Sequence, residues 1–203
     1  MSGGFGPGFW EQVWNGGHAT TSMAAAPPHP RVLSETMDLT PGSALDVGCG
    51  AGAESLALAQ AGWQVTGVDL SAQALLRAAE RAQAAGLQDR VTWAEADATA
   101  WEPTRRYDLV LTCYAHAPMP QTEFYERLSH WVRPGGRLLL IGHLHHHGDR
   151  PAEASTTAAQ AAAQFDSGRW EIIASEEETR VLHRPDGAET ALRDVILHLR
   201  RRA

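Results

Sequence analysis

From residue 43 onward the chain alternates between two kinds of segment. "SALDVGC" (43–49), "WQVTGVDL" (63–70), "RVTWAEA" (90–96), "YDLVLTCY" (107–114) and "GRLLLIGHL" (136–144) are short, near-continuous apolar runs, the pattern of strands covered on both faces. Between them lie three segments with helical character: "AESLALAQAG" (53–62), "SAQALLRAAERAQAAG" (71–86) and "QTEFYERLSHWV" (121–132). Gly62 closes the first, and Ser71 and Gly86 are a good N-cap and stop for the second. The turn "RPGG" (133–136) opens the fifth strand. Strands spaced by helices predict an α/β fold, a mostly parallel sheet with helices on both faces.

The two ends follow other rules. "STTAAQAAAQF" (155–165) is helical, and "RWEIIASEEETRVL" (169–182) and "AETALRDVILHLRR" (188–201) are strands joined through "HRPDG" (183–187), so the sheet finishes in an antiparallel hairpin. The glutamates of "SEEETR" suit a solvated strand edge. Residues 1–30 are rich in Gly, Pro and Ala, with a short helix over 8–15 and an irregular stretch ending in "PPHP". Trp10 and Trp14 share a face of that helix, either as ordinary packing or as a lid. The expected organisation is an N-terminal helical and irregular segment, 1–40, followed by one domain, 41–203.

Composition narrows the function classes. A chain of 203 residues with 43% hydrophobic content can bury one core. Its net charge of −7 argues against gripping nucleic acid, and Arg200, Arg201 and Arg202 read as a solvated tail. The two cysteines, Cys49 and Cys113, lie in apolar segments rather than in a disulfide framework. No window reaches a membrane-spanning length, and the N-terminus lacks the charged-then-apolar order of a signal peptide. A soluble, reduced, cytoplasmic protein is expected.

The chemistry concentrates in "ALDVGCGAGAESLALAQAGWQVTGVDLS" (44–71), a strand, a glycine turn, a helix and a second strand ending on an acid. Gly48, Gly50 and Ala53 loosely match a dinucleotide fingerprint, with Asp69 placed to hold a ribose. Three features argue against a pyrophosphate. Asp46 precedes the first glycine by two residues, repulsive to phosphate and complementary to an ammonium group. Asp97, in "EADAT", stands at another strand end where it can accept from an adenine amino group. The length leaves little room for a separate catalytic domain.

Taken in order, "LDVGCGAG", "VTGVDLS", "AEADAT", "YDLVLTCYAHAP" and "RPGGRLLLIGH" resemble the successive motifs of class I S-adenosylmethionine-dependent methyltransferases. The likeness is tight over 44–143 and reaches about residue 200 through the hairpin, and it looks most like small bacterial tellurite-resistance and thiopurine-methyltransferase-like members. The resemblance implies a seven-stranded Rossmann-like sheet with S-adenosylmethionine across its carboxyl edge. Asp46, Gly48, Cys49, Gly50 and Ala51 would then shape the methionine end. Asp69 would hold the ribose and Leu70 would lie against the adenine. Asp97 and the Ala98 backbone would read the adenine edge, with Thr112 and Cys113 flooring the sulfonium. A small-molecule acceptor is implied, with S-adenosylhomocysteine as product.

Two histidine groups remain. His116, in "YAHAP", follows the fourth strand as a candidate base or as a residue that only shapes the pocket. "GHLHHHG" places His143, His145 and His147 on one face of an extended segment. With no Cys or carboxylate at motif spacing, a histidine-rich rim of the acceptor pocket is the preferred reading, His143 on the acceptor side, and no metal site is assigned. The rival functions are an NAD-dependent oxidoreductase and a catalytically silent cofactor-binding protein.

Overall fold

A computed structural model of the chain describes residues 7–15, 26–144, 156–183 and 189–203. The helices are α1 (Pro7–Asn15), α2 (Pro30–Thr36), α3 (Ala53–Gln60), α4 (Ala72–Ala84), α5 (Gln121–Ser129) and α6 (Ala158–Ala162). The strands are β1 (Ser43–Val47), β2 (Gln64–Asp69), β3 (Val91–Glu95), β4 (Tyr107–Cys113), β5 (Val132–His143), β6 (Trp170–His183) and β7 (Glu189–Arg201). They form one seven-stranded sheet in the order β3-β2-β1-β4-β5-β7-β6. The first five strands are mutually parallel, and β7 runs antiparallel between β5 and β6.

Side-chain alternation explains why these runs are apolar throughout. Leu45, Val47, Val110, Leu138, Leu140, Leu197 and Leu199 point to one face, where Phe124, Tyr125 and Leu128 of α5 cover them. Ala44, Leu109, Leu111, Leu139, Ile141 and Ile196 point to the other, against Val32 of α2 and Leu58 and Ala59 of α3. Each strand therefore feeds two cores, as expected for a sheet sandwiched by helices.

Three boundaries differ from the sequence pattern. α2 falls where irregular chain ended and no helix was expected; Pro30 opens it and the His29 side chain caps it by accepting from Arg31 N, a cap residue outside the usual Ser/Thr/Asp/Asn set. β5 starts at Val132, inside the predicted helix, because Val132 pairs with Tyr107 before the register shifts and "RPGG" bulges outward. α6 is limited to 158–162 by its Thr157–Gln160 capping box and the turn that follows. The basic run expected as a solvated tail instead continues the structure: Arg200 and Arg201 belong to β7, and Arg202 Nε donates to Ser167 O at 3.1 Å. Among the described residues, no helix is long and apolar enough to cross a membrane.

Candidate functional site

The strand order reverses between β1 and β4, and the carboxyl ends of the strands at such a switch point form the crevice in which open α/β sheets bind ligands. The turn after β1 is built from Gly48, Gly50 and Gly52, at φ 72°, 52° and 77°, a left-handed backbone that side chains disfavour. A Cβ on Gly48 would also sit 2.4 Å from the Ala115 methyl. Gly48 N and Cys49 N both donate to Val68 O, at 2.8 and 3.0 Å. Asp69 joins two turns: one carboxylate oxygen accepts from Gly50 N and the other from Ser71 N, each at 2.9 Å.

Carboxyl groups gather at this edge. Asp46 is 1% exposed, with the Ser55 hydroxyl donating to it at 2.6 Å. Burial, reinforced by the charge of Glu54, pushes its pKa up to about 8. Burial also raises Glu54, which accepts from His29 N at 3.0 Å, and Asp69. The guanidinium groups of Arg77 and Arg81 donate to the carbonyls of Trp14 and Ala51. Such an edge suits a cation and repels a pyrophosphate.

The remaining predicted residues fall as follows. One oxygen of Asp97 accepts from Thr99 N and Oγ1, at 2.9 and 2.7 Å, and the Ala98 carbonyl accepts from Arg127 Nε at 2.8 Å. Leu70 is half-buried and Ala51 buried. Thr112 is buried inside the sheet, its hydroxyl turned to Val47 O at 2.8 Å rather than toward the crevice. Cys49 and Cys113 are free thiols, and burial pushes both well above the ordinary thiol range; they are neutral and poor nucleophiles.

Helix α1 lies across the glycine turn. Trp14, 4% exposed, packs on Ala51 and Ala74, and its indole reaches 3.0 Å from where a Gly50 Cβ would stand. Glu11 accepts from Ala72 N at 3.1 Å, and Trp10 Nε1 donates to the carbonyl of buried His116 at 3.3 Å.

Beside the crevice stands a constellation that the sequence pattern did not reveal. Asp194, fully buried in β7, lies directly opposite His143 of β5 and Glu178 of β6. Its carboxylate meets His143 Nδ1 at 3.2 Å, His29 Nε2 at 3.2 Å and Arg180 Nε at 2.6 Å. Burial would raise its pKa, yet the hydrogen bonds from His143, His29 and Arg180 outweigh burial and hold it well below the usual carboxylate range. Arg180 Nη2 also donates to Tyr114 Oη at 2.9 Å. The Tyr114 ring stacks on His143 with centroids 3.9 Å apart. Tyr114 follows β4 at φ 59°, a strained value for a bulky residue. Two signals were present: an acid at an inward position beside the buried run Val195–Leu199, and an arginine inside a segment that otherwise read as solvated glutamates.

His29, Glu178 and Asp194 lie within reach of a common point that could hold a metal ion. The chemistry opposes it: Arg180 already neutralises Asp194, and His29 accepts from Arg31 N through Nδ1 at 3.1 Å, so Nε2 carries a proton rather than a lone pair. His145, His146 and His147 lie outside the described residues.

Residues 44–136 match the family model described as "Methyltransferase domain". That stretch, from β1 to the turn within β5, is a methyltransferase domain. Across 138 residues, 66% of this chain and 61% of the relative, it is 28% identical to "Probable thiol methyltransferase 2" of Arabidopsis thaliana. Across 101 residues, 47% of this chain and 42% of the relative, it is 44% identical to a "Ubiquinone biosynthesis O-methyltransferase" of Leptothrix cholodnii. The chain thus spans less than two thirds of these relatives' own length. The methyltransferase domain also has the fold of TehB from Haemophilus influenzae, with TM-score 0.73 and 18% identity over 95% of this chain and 67% of that one.

Proposed function

We propose that the protein binds S-adenosylmethionine across the β1/β4 crevice and transfers its methyl group to a small-molecule acceptor. The observation that carries this reading is the acidic glycine turn: left-handed glycines bring the backbone close, and the carboxyl groups of buried Asp46 and half-buried Asp69, once ionised, favour a cation there. When bound, the cofactor supplies an electrophilic methyl on a sulfonium. Asp46 and the 48–51 backbone hold the methionine end and Asp69 the ribose, with Leu70 against the adenine. Asp97 and Ala98 bind the adenine edge. Cys113 borders the sulfonium as a neutral thiol, with the backbone of Thr112. Helix α1 acts as a lid that excludes water, and His116, anchored under it through its carbonyl, shapes the wall. The relatives' names, a thiol and a ubiquinone-precursor methyltransferase, support a small acceptor, and two neutral thiols suit a reducing, cytoplasmic setting.

Calorimetric titration tests the assignment: S-adenosylmethionine and S-adenosylhomocysteine should bind and NAD should not. Comparable or tighter NAD binding would sink it. Production of S-adenosylhomocysteine with any acceptor separates an enzyme from a silent binder.

Asp69→Ala should weaken cofactor binding by about one to two decades, since charge-assisted hydrogen bonds of this kind contribute roughly 1.5–3 kcal/mol. The same carboxylate anchors Gly50 N and Ser71 N, so circular dichroism must show the variant folded. Unchanged affinity in a folded variant removes Asp69 from the ribose.

A further inference from the structure

We propose that Arg127 of α5 is a positioning residue of the cofactor site: its guanidinium fixes the turn that carries Asp97 and Ala98, and through that turn sets the preference for adenine over a 6-oxopurine base. This inference rests on the reading above that places the adenine edge at Asp97 and Ala98, and it names the residue that holds that edge in place.

The turn follows β3, an edge strand that pairs only with β2. Beyond Glu95 the chain leaves the sheet, and residues 96–106 run as turn and irregular backbone to β4. Asp97 holds this turn from within. Its carbonyl accepts from Ala100 N at 3.0 Å and Trp101 N at 2.8 Å, and one carboxylate oxygen accepts from Thr99 N and Oγ1. Arg127 holds it from outside, Nε donating to Ala98 O and Nη2 to Trp101 O, each at 2.8 Å. A guanidinium offers N–H groups at fixed spacing in one plane, which suits two carbonyls of one turn, whereas an ammonium is a point charge. The plane is supported in turn: the buried Trp131 ring lies 5.5 Å from the guanidinium carbon. Nη2 also pairs with Glu102 Oε1 at 2.8 Å, and the other Glu102 oxygen accepts from Trp131 Nε1 at 2.8 Å.

One peptide unit carries the coupling. Between Ala98 and Thr99 the carbonyl is bound by Arg127 and the N–H by Asp97 Oδ1. Guanidinium and carboxylate thus grip opposite ends of the same amide, and hydrogen bonds in such a chain reinforce one another. Arg127 has a firm base, because Phe124, Tyr125 and Leu128 of its helix are buried in the core against which Ala96, Ala98 and Trp101 pack. With Oδ1 committed to the turn, Asp97 Oδ2 has no partner among the described residues. Adenine offers an amino group at C6, which can donate to that oxygen. A 6-oxopurine offers a carbonyl there, and two acceptors then meet. The fixed turn therefore decides how strongly the two bases are distinguished.

The test titrates the full chain by calorimetry with S-adenosylhomocysteine and with its 6-oxo counterpart, S-inosylhomocysteine. The parent should prefer the adenosyl form by about 100-fold or more, since a site built to hydrogen-bond a donor rejects a ligand that lacks it. Arg127→Met should weaken the adenosyl form by about 10–100-fold and the inosyl form by no more than a few-fold, so the preference shrinks. Arg127→Lys keeps the charge without the fork and should lose preference in the same direction; it carries the test if circular dichroism shows Arg127→Met unfolded. Glu102→Gln removes an ion pair whose acid is 63% exposed, and both affinities should stay within about three-fold. An unchanged preference in a folded Arg127 variant, or equal weakening of both ligands, makes Arg127 merely structural and overturns the proposal. A loss of preference in Glu102→Gln as large as in Arg127→Met overturns the carbonyl grip. A parent that binds both forms equally takes Asp97 off the adenine edge and overturns the proposal as well. Failure of the parent to bind either form sinks the methyltransferase reading itself, and this inference with it.

Discussion

Asp194→Ala is expected to lower the melting temperature by roughly 6–20 °C. Removing one partner of a buried charged network costs about 3–5 kcal/mol, and for a chain of this size each kcal/mol shifts the midpoint by about 2–4 °C. The reason is specific to this site. Asp194 is fully buried and is the common acceptor for His29, His143 and Arg180, so its loss strands three donors at once. Asp194→Asn keeps the shape and should fall between the two. The pH dependence follows from the same carboxylate. Its folded pKa is depressed, so its contribution is complete above the ordinary carboxylate range and is lost as pH falls through the folded value. A shift below about 2 °C in Asp194→Ala would mean that the carboxylate is hydrated in solution and does not hold its three donors together.

Cofactor affinity should rise about tenfold per pH unit between pH 6 and 8 and level off above. Asp46 is raised to about 8, by burial first and the charge of Glu54 second. An ammonium group beside it requires the ionised form, so binding below that pKa must expel a proton, and one pH unit corresponds to about 1.4 kcal/mol. Titration at pH 7 in buffers of different ionisation enthalpy should reveal close to one proton released per cofactor bound. Asp46→Asn should abolish both the release and the slope. A flat affinity from pH 6 to 8 would exclude Asp46 from the methionine end. The cofactor-free chain should show the opposite trend. A raised folded pKa contributes stability below the ordinary value of 3.8 that disappears as pH rises through about 8, so cofactor protection should be largest where the free chain is weakened.

Much of this molecule was legible in one dimension because its signals are local. The near-continuous apolar runs of β1, β2, β4 and β5 require two covered faces, and the helices between them dictate parallel pairing. The glycine turn could be read because glycine most readily takes the left-handed backbone found at 48 and 50. Asp46 and Asp69 stood at fixed offsets from it. What no local pattern carried was the cluster around Asp194. His29, Tyr114, His143, Arg180 and Asp194 come from five separate stretches of chain and meet only because β7 inserts antiparallel between β5 and β6. That insertion sets Asp194 opposite His143, and it turns an arginine among glutamates into a half-buried partner. Residue types and spacing determined the sheet, the glycine turn and the acids beside it, since each follows from the conformational limits of neighbouring residues. Tertiary structure alone decided that His29, His143 and Arg180 share one carboxylate, because these groups lie far apart in sequence and meet only through the register of β5, β7 and β6.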